Sequence, residues 1–150
     1  MHQLAQLNIA RMKFDFEAPE MAGFVARLDE INALADGAPG FVWRWIGEGE
    51  AATAEEHFDA NLLVNLSVWQ DLEALRNFVF RSNHSEVMAQ RKQWFERMEQ
   101  AYTVLWWVPQ GHVPSLAEAR DRLERLRADG PTPAAFTFRQ NFAPDAAASA

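Results

Sequence analysis

The chain has 150 residues, 49% of them apolar, a formal net charge of −7 and no cysteine. That length fits one domain with one core, and the missing thiols exclude a disulfide framework and a thiolate metal site. The acidic balance argues against nucleic acid, whose phosphates call for clustered Lys and Arg.

No apolar run approaches the roughly 20 residues of a membrane-spanning helix, and Met1–Leu4 lacks the features of a secretory signal. The expectation is a cytoplasmic protein without a membrane partner.

In chain order, Leu4 to Met12 alternates with period two, the mark of a half-buried strand. Ala5, Leu7 and Ile9 take one face; Leu4, Gln6, Asn8 and Ala10 take the other. Pro19 suits a first helical turn, and Met21, Phe24, Leu28, Ile31 and Ala35 recur as the stripe of an amphipathic helix closed by Gly37. Phe41 to Ile46 reads as a second strand, with Phe41, Trp43 and Trp45 opposite Val42, Arg44 and Ile46. Residues 47–61 are polar, carry Glu48, Glu50, Glu55, Glu56 and Asp59, and read as a long mobile hairpin loop.

Leu62 to Trp69 is the third strand: Leu62, Val64, Leu66 and Val68 face one way, Leu63, Asn65, Ser67 and Trp69 the other. Asp71 can cap a helix carrying Leu72, Leu75, Phe78 and Val79. Ser82-Asn83-His84-Ser85 interrupts the register, and a further helix carries Val87, Arg91, Trp94 and Met98. Tyr102 to Val108 is the fourth strand, ended by Pro109. Ser115 and Glu118 form a capping box for a C-terminal helix, residues 115–129, with Leu116, Ala119, Leu123 and Leu126 as its stripe. Phe136 to Phe138 is an edge strand or a docking segment. Residues 1–138 are expected to form the domain and 139–150 a disordered tail.

The order strand, helix, strand, strand, helix, strand is that of an α+β, ferredoxin-like βαββαβ antiparallel sheet with helices on one face. Its first and third strands are neighbours in the middle. The face holding Ala5, Leu7, Ile9, Val64, Leu66 and Val68 is the expected floor for the helices. The opposite face holds Gln6, Asn8, Asn65, Ser67 and Trp69, too polar for a dry core and too apolar for open water. A partly enclosed cavity reconciles the two, and a second copy of the sheet is the expected means of enclosing it, making the protein a homodimer.

Leu62 to Trp69, followed by Leu72, Leu75, Phe78 and Ser82-Asn83-His84, resembles the corresponding region of dimeric α+β barrel proteins. That superfamily includes antibiotic-biosynthesis-type and haem-degrading monooxygenases. More closely, Leu4–Arg11, Pro39–Trp43, Val64–Trp69 and Val104–His112 together resemble a bacterial family known as domain of unknown function 3291. The resemblance spans about Leu4 to Phe138. It implies the dimeric α+β barrel fold and no particular reaction. The haem-degrading pattern wants an Asn in the first strand, a Trp after the third and a His further on. Asn8 fits, but Phe78 and Met88 stand at the other two positions, which argues against haem degradation, and no cofactor is expected.

Asn8 and Asn65, with His84, are the candidate catalytic residues. The resemblance implies that Asn and Trp side chains orient an oxidisable aromatic substrate, and donors of this kind can stabilise an enolate. The bland alternative is that the amides bond one another and fix register. His84 can serve as a general base or as an exposed cap. Gln6, Asn8, Asn65, Ser67 and Trp69, with Arg44 and Trp107, form the candidate substrate-binding set; alternation puts Trp106 and Trp107 on opposite faces, so only one can line the cavity. His112 closes the rim or lies in a surface turn. Glu55, Glu56, His57 and Asp59 are adjacent loop residues that rarely converge on one ion, so no metal is expected.

Three functions follow from the sequence. One is a cofactor-independent monooxygenase-like enzyme acting on a small aromatic or apolar ligand. The others are a non-catalytic binding or sensing dimer and a structural dimer module with no small-molecule site.

Overall fold

The computed structural model describes residues 1–14, 18–45, 62–81, 94–96 and 101–144. Four strands form one antiparallel sheet: β1 (His2–Arg11), β2 (Phe41–Arg44), β3 (Leu62–Trp69) and β4 (Thr103–Pro109), in the order β2-β3-β1-β4. The fold is the α+β arrangement that the sequence implies, with the first and third strands central. A 3-10 turn at Pro19–Met21 leads into α1 (Ala22–Asp36); α2 (Leu72–Arg81) follows β3; and α3 (Leu116–Asp129) follows β4. The hairpin loop 47–61, His84 and the start of the helix expected from Val87 lie outside the described residues.

The assignment of the two sheet faces is corrected. Met21 of the 3-10 turn, Phe24 and Ala35 of α1, and Leu75 of α2 are buried against the face of Leu4, Ala10, Trp69 and Leu105, which is the mixed face carrying Gln6 and Asn8. The more apolar face of Ala5, Leu7, Ile9, Leu66, Val104, Trp106 and Val108 receives the stripe of α3 instead. Period-two alternation separates the faces without saying which helix takes which. Here the strongly apolar face is covered by the C-terminal helix, and the mixed face is tolerated under α1 and α2 because its polar groups bond one another.

That C-terminal helix is well anchored. Ser115 Oγ accepts from Glu118 N–H at 3.1 Å, one half of the expected capping box. The Glu118 carboxylate does not return to Ser115; it accepts from Trp106 Nε1 at 2.8 Å and meets His112 Nε2 at 2.7 Å. Trp106 is wholly buried, so its indole N–H needs that acceptor. Beyond Gly130, Phe136 exchanges two 2.8 Å backbone bonds with Leu105 and covers the outer edge of β4. Arg139 to Pro144, expected in a disordered tail, are placed: Phe142 packs in the cluster of Leu4, Trp69 and Phe136, and its carbonyl accepts from Trp107 Nε1 at 2.7 Å. One half-buried aromatic and one indole N–H hold this stretch.

Two local expectations also change. A bulge between Phe41 and Trp43 turns these residues to opposite faces: Phe41 pairs with Trp69 and Trp43 with Val68. Trp94–Glu96 is not helical. Met12 bridges Phe95, Lys13 N–H donates to Trp94 O and Glu96 N–H to Arg11 O, both at 2.8 Å. Adjacent Trp94 and Phe95 are both buried, packed with Met12, Met21 and Phe24.

Candidate functional site

The register lays the α1/α2 face of the sheet out in rows. Trp107, Leu4, Trp69 and Phe41 form an aromatic row; Leu105, Gln6, Ser67 and Arg44 form the next; Thr103, Asn8 and Asn65 form a third. Ala10 and Leu63 follow. A polar band therefore crosses the central strands between two apolar clusters. The cluster on the aromatic-row side has Phe78 stacked on Trp69 with centroids 5.2 Å apart and Phe41 edge-on at 5.4 Å. The cluster on the other side gathers Met12, Met21, Phe24, Trp94 and Phe95.

Within the band the hydrogen bonds are dense. Gln6 Nε2 donates to Ser67 Oγ at 2.9 Å, to Asn65 Oδ1 at 3.1 Å and to the Asn65 backbone carbonyl at 3.3 Å. Trp69 Nε1 donates to the same Ser67 Oγ at 2.9 Å. Asn8 Nδ2 donates to Thr103 Oγ1 at 2.6 Å. Gln6 and Ser67 are buried, Asn8 is half-buried and Asn65 is exposed. The band thus opens at Asn65 and closes toward Trp69.

The candidate residues do not all join it. Gln6, Asn8, Asn65 and Ser67 come together. Trp69 adjoins them, but its ring is buried under Phe41 and Phe78 and its N–H is committed to Ser67. Trp107 lies on this face at the β4 edge, facing Phe136 and Phe142. Arg44 shares the face with Ser67, but its guanidinium forks onto Asp36 at the end of α1, Nε to Oδ1 at 2.8 Å and Nη2 to Oδ2 at 3.3 Å. That bond holds the Asp36 carboxyl below the ordinary carboxylate range. Thr103 was not singled out from sequence, although it shares parity with Trp107 and so had to face the same way. Among the described residues β1 and β3 contribute no ionisable side chain to the band, whose one such group, Arg44 at the β2 edge, is engaged by Asp36, and no group of three His, Asp or Glu could bind a metal. It can donate and accept hydrogen bonds, and it can align a flat molecule.

A separate open groove of about 550 Å³ runs between the end of α1 and the start of α2, lined by Leu34, Ala38, Gly40, Gln70, Ala74 and Phe78. Phe78 in its lining backs onto Trp69 at the edge of the band. The groove is a shallow surface feature; the ordered donors lie in the band.

The description "Domain of unknown function (DUF3291)" matches residues 3–150. The chain belongs to the DUF3291 family. No curated protein matches it. Two solved structures are similar to this DUF3291 chain. One is SnoaB, a cofactor-independent oxygenase from Streptomyces nogalater: 17% identity, 75% of this chain and 97% of that one covered, TM-score 0.48. The other is NE2512, a protein of unknown function from Nitrosomonas europaea: 13% identity, 77% and 97% covered, TM-score 0.49. No helix among the described residues is long and apolar enough to cross a membrane.

Proposed function

We propose that this DUF3291 protein binds a small, flat, mainly apolar compound at the polar band, with an oxygen of the ligand set against Asn65, Asn8 and Ser67. The observation that carries this reading is a hydrogen-bonded polar row between two aromatic clusters, ending in an exposed Asn65 amide. Neutral donors of this kind suit an oxygen on which charge develops. The reaction they fit is cofactor-independent oxygenation of an acidic methylene compound through its enolate. Carbon–oxygen bond formation with O₂ gives a hydroperoxide, and loss of water leaves a carbonyl: R₂CH₂ + O₂ → R₂C=O + H₂O. The band itself supplies no base, so the proton leaves to solvent or to His84, the candidate base. The sequence resemblance to antibiotic-biosynthesis-type monooxygenases supports the same class.

The test is oxygen uptake over a panel of phenols, quinols and anthrones with wild-type protein and Asn65→Ala. Uptake on at least one substrate, lost in the variant, is expected. Background uptake throughout, with no change in the variant, removes the oxygenase reading. Within the described band the one ionisable side chain, Arg44, is engaged by Asp36 and is no base, which favours a second reading, binding without turnover. It is distinguished by a ligand that co-purifies in native mass spectrometry without oxygen uptake.

The homodimer, with its barrel, is proposed on a different surface from the one the sequence marked. The face beneath α3 is only partly covered, leaving Trp43, Trp45, Leu62 and Val64 half-buried at its β2/β3 side. Light scattering at micromolar concentration is expected to give twice the mass of one chain; a single-chain mass contradicts it.

A further inference from the structure

The hydrogen bonds around Ser67 can be counted to a definite conclusion. A serine hydroxyl has two acceptor lone pairs and one proton to donate. Trp69 Nε1 is a donor only, so Ser67 Oγ must accept from it. Gln6 has an amide that could in principle be turned over, placing its oxygen toward Ser67. The backbone carbonyl of Asn65, 3.3 Å from the same Gln6 atom, argues against this, because a backbone carbonyl only accepts and would face an oxygen without a proton between them. Gln6 Nε2 is therefore a nitrogen, and Ser67 accepts from it too. Both lone pairs of Ser67 are occupied. Its own proton points away from both partners, and among the described residues no acceptor stands against it.

The same logic fixes Asn65. Its Oδ1 accepts from Gln6 Nε2, so its Nδ2 turns away from Gln6, at an exposed position. Ser67 Oγ and Asn65 Oδ1 both touch one nitrogen, so they lie no farther apart than those two bonds laid end to end. Gln6 thus holds two neighbours with their donor sides outward. Trp69, whose N–H is consumed inside the network, offers a ligand none.

We propose that Ser67 O–H and Asn65 Nδ2–H form a paired donor cradle for a single acceptor oxygen, making Ser67 the residue that selects ligands bearing a carbonyl or an enolate oxygen. This rests on the band being a ligand site, and it assigns the recognition to a residue whose burial conceals it. A ketone oxygen in the cradle satisfies a hydroxyl proton that is otherwise stranded, whereas a methylene at the same place leaves it so.

The probes are 9-fluorenone and fluorene, flat molecules of nearly one shape that differ by C=O against CH₂. Affinities are measured by calorimetry for wild type, Ser67→Ala, Ser67→Cys and Ser67→Thr, and the carbonyl stretch of bound fluorenone is read by infrared difference spectroscopy. Wild type is expected to prefer fluorenone by about tenfold, the effect of one good hydrogen bond, with the carbonyl stretch moved to lower frequency. Ser67→Thr, which keeps the hydroxyl, retains both effects. Ser67→Ala loses both, and Ser67→Cys, a near-isostere with a weak donor, loses most of each should the alanine variant fail to fold. A preference and frequency unchanged in both Ser67→Ala and Ser67→Cys overturn the assignment to Ser67. Equal binding of the two probes by wild type overturns the cradle while leaving the band a binding site. If neither probe binds up to its solubility limit, the band reading and the cradle fall together.

Discussion

Replacing Ser67 by alanine removes an acceptor shared by two buried donors, and the two are not equally stranded. Gln6 Nε2 keeps Asn65 Oδ1 at 3.1 Å and the Asn65 carbonyl at 3.3 Å. Trp69, only 2% exposed, has no second acceptor among the described residues. The cost of Ser67→Ala is therefore that of one orphaned buried N–H, about 1–3 kcal/mol. For a domain of this size that lowers Tm by about 2–4 °C per kcal/mol. Trp69→Phe removes the orphan itself while keeping much of the ring that packs on Phe41 and Phe78. Once Trp69 is Phe, the loss of Ser67 Oγ should cost little. Urea unfolding of wild type, both single variants and the double variant closes the cycle. The double variant should lose about 1 kcal/mol less than the sum of the singles. Additivity within about 0.3 kcal/mol would refute the claim that Ser67 holds the indole N–H.

Glu118→Ala leaves the buried Trp106 N–H without its charged acceptor and should cost about 1.5–3 kcal/mol in chemical denaturation. Glu118→Gln, which keeps an amide oxygen, should cost clearly less. Gly40→Ala should destabilise by more than about 2 kcal/mol, because φ is +84° and a Cβ there collides with Ala74 Cβ, uncoupling β2 from α2; circular dichroism melting reads the loss. Asp36 has a depressed carboxyl, so the stability it contributes is present above the unfolded value near 3.8 and is lost as pH falls through its lower folded value. The pair is on the surface, so wild type should exceed Arg44→Met by no more than about 1 kcal/mol at pH 6. That difference should shrink progressively as pH falls below 3.8 in urea titrations.

Alternation alone carries much of this structure. It separates Ala5, Leu7 and Ile9 from Gln6 and Asn8, and Val64 and Leu66 from Asn65 and Ser67, and the order of elements puts β1 beside β3. It cannot say which helices cover which face, because α1, α2 and α3 all have apolar residues to bury. The choice is made by tertiary contacts, such as Trp106 with Glu118 and Phe142 with Trp107, between residues far apart in sequence or carrying no local signal. Gln6, Asn8, Asn65 and Ser67 were legible as a set, whereas Thr103 was not. Their internal bonding, the diversion of Arg44 to Asp36 and the burial of Trp69 depend on the bulge at β2 and on the packing of Phe78, neither of which leaves a pattern in the chain.

The central claim is that the polar band, rather than the groove or the sheet's other face, receives the ligand. Side-chain amide and indole resonances of ¹⁵N-labelled protein, followed during titration with 9-fluorenone, locate it directly. The account predicts that the amides of Asn65 and Gln6 shift while the Trp43 and Trp45 indoles stay in place. Shifts confined to Gln70 and Asn77, which line the groove, or to the Trp43 and Trp45 indoles would contradict it.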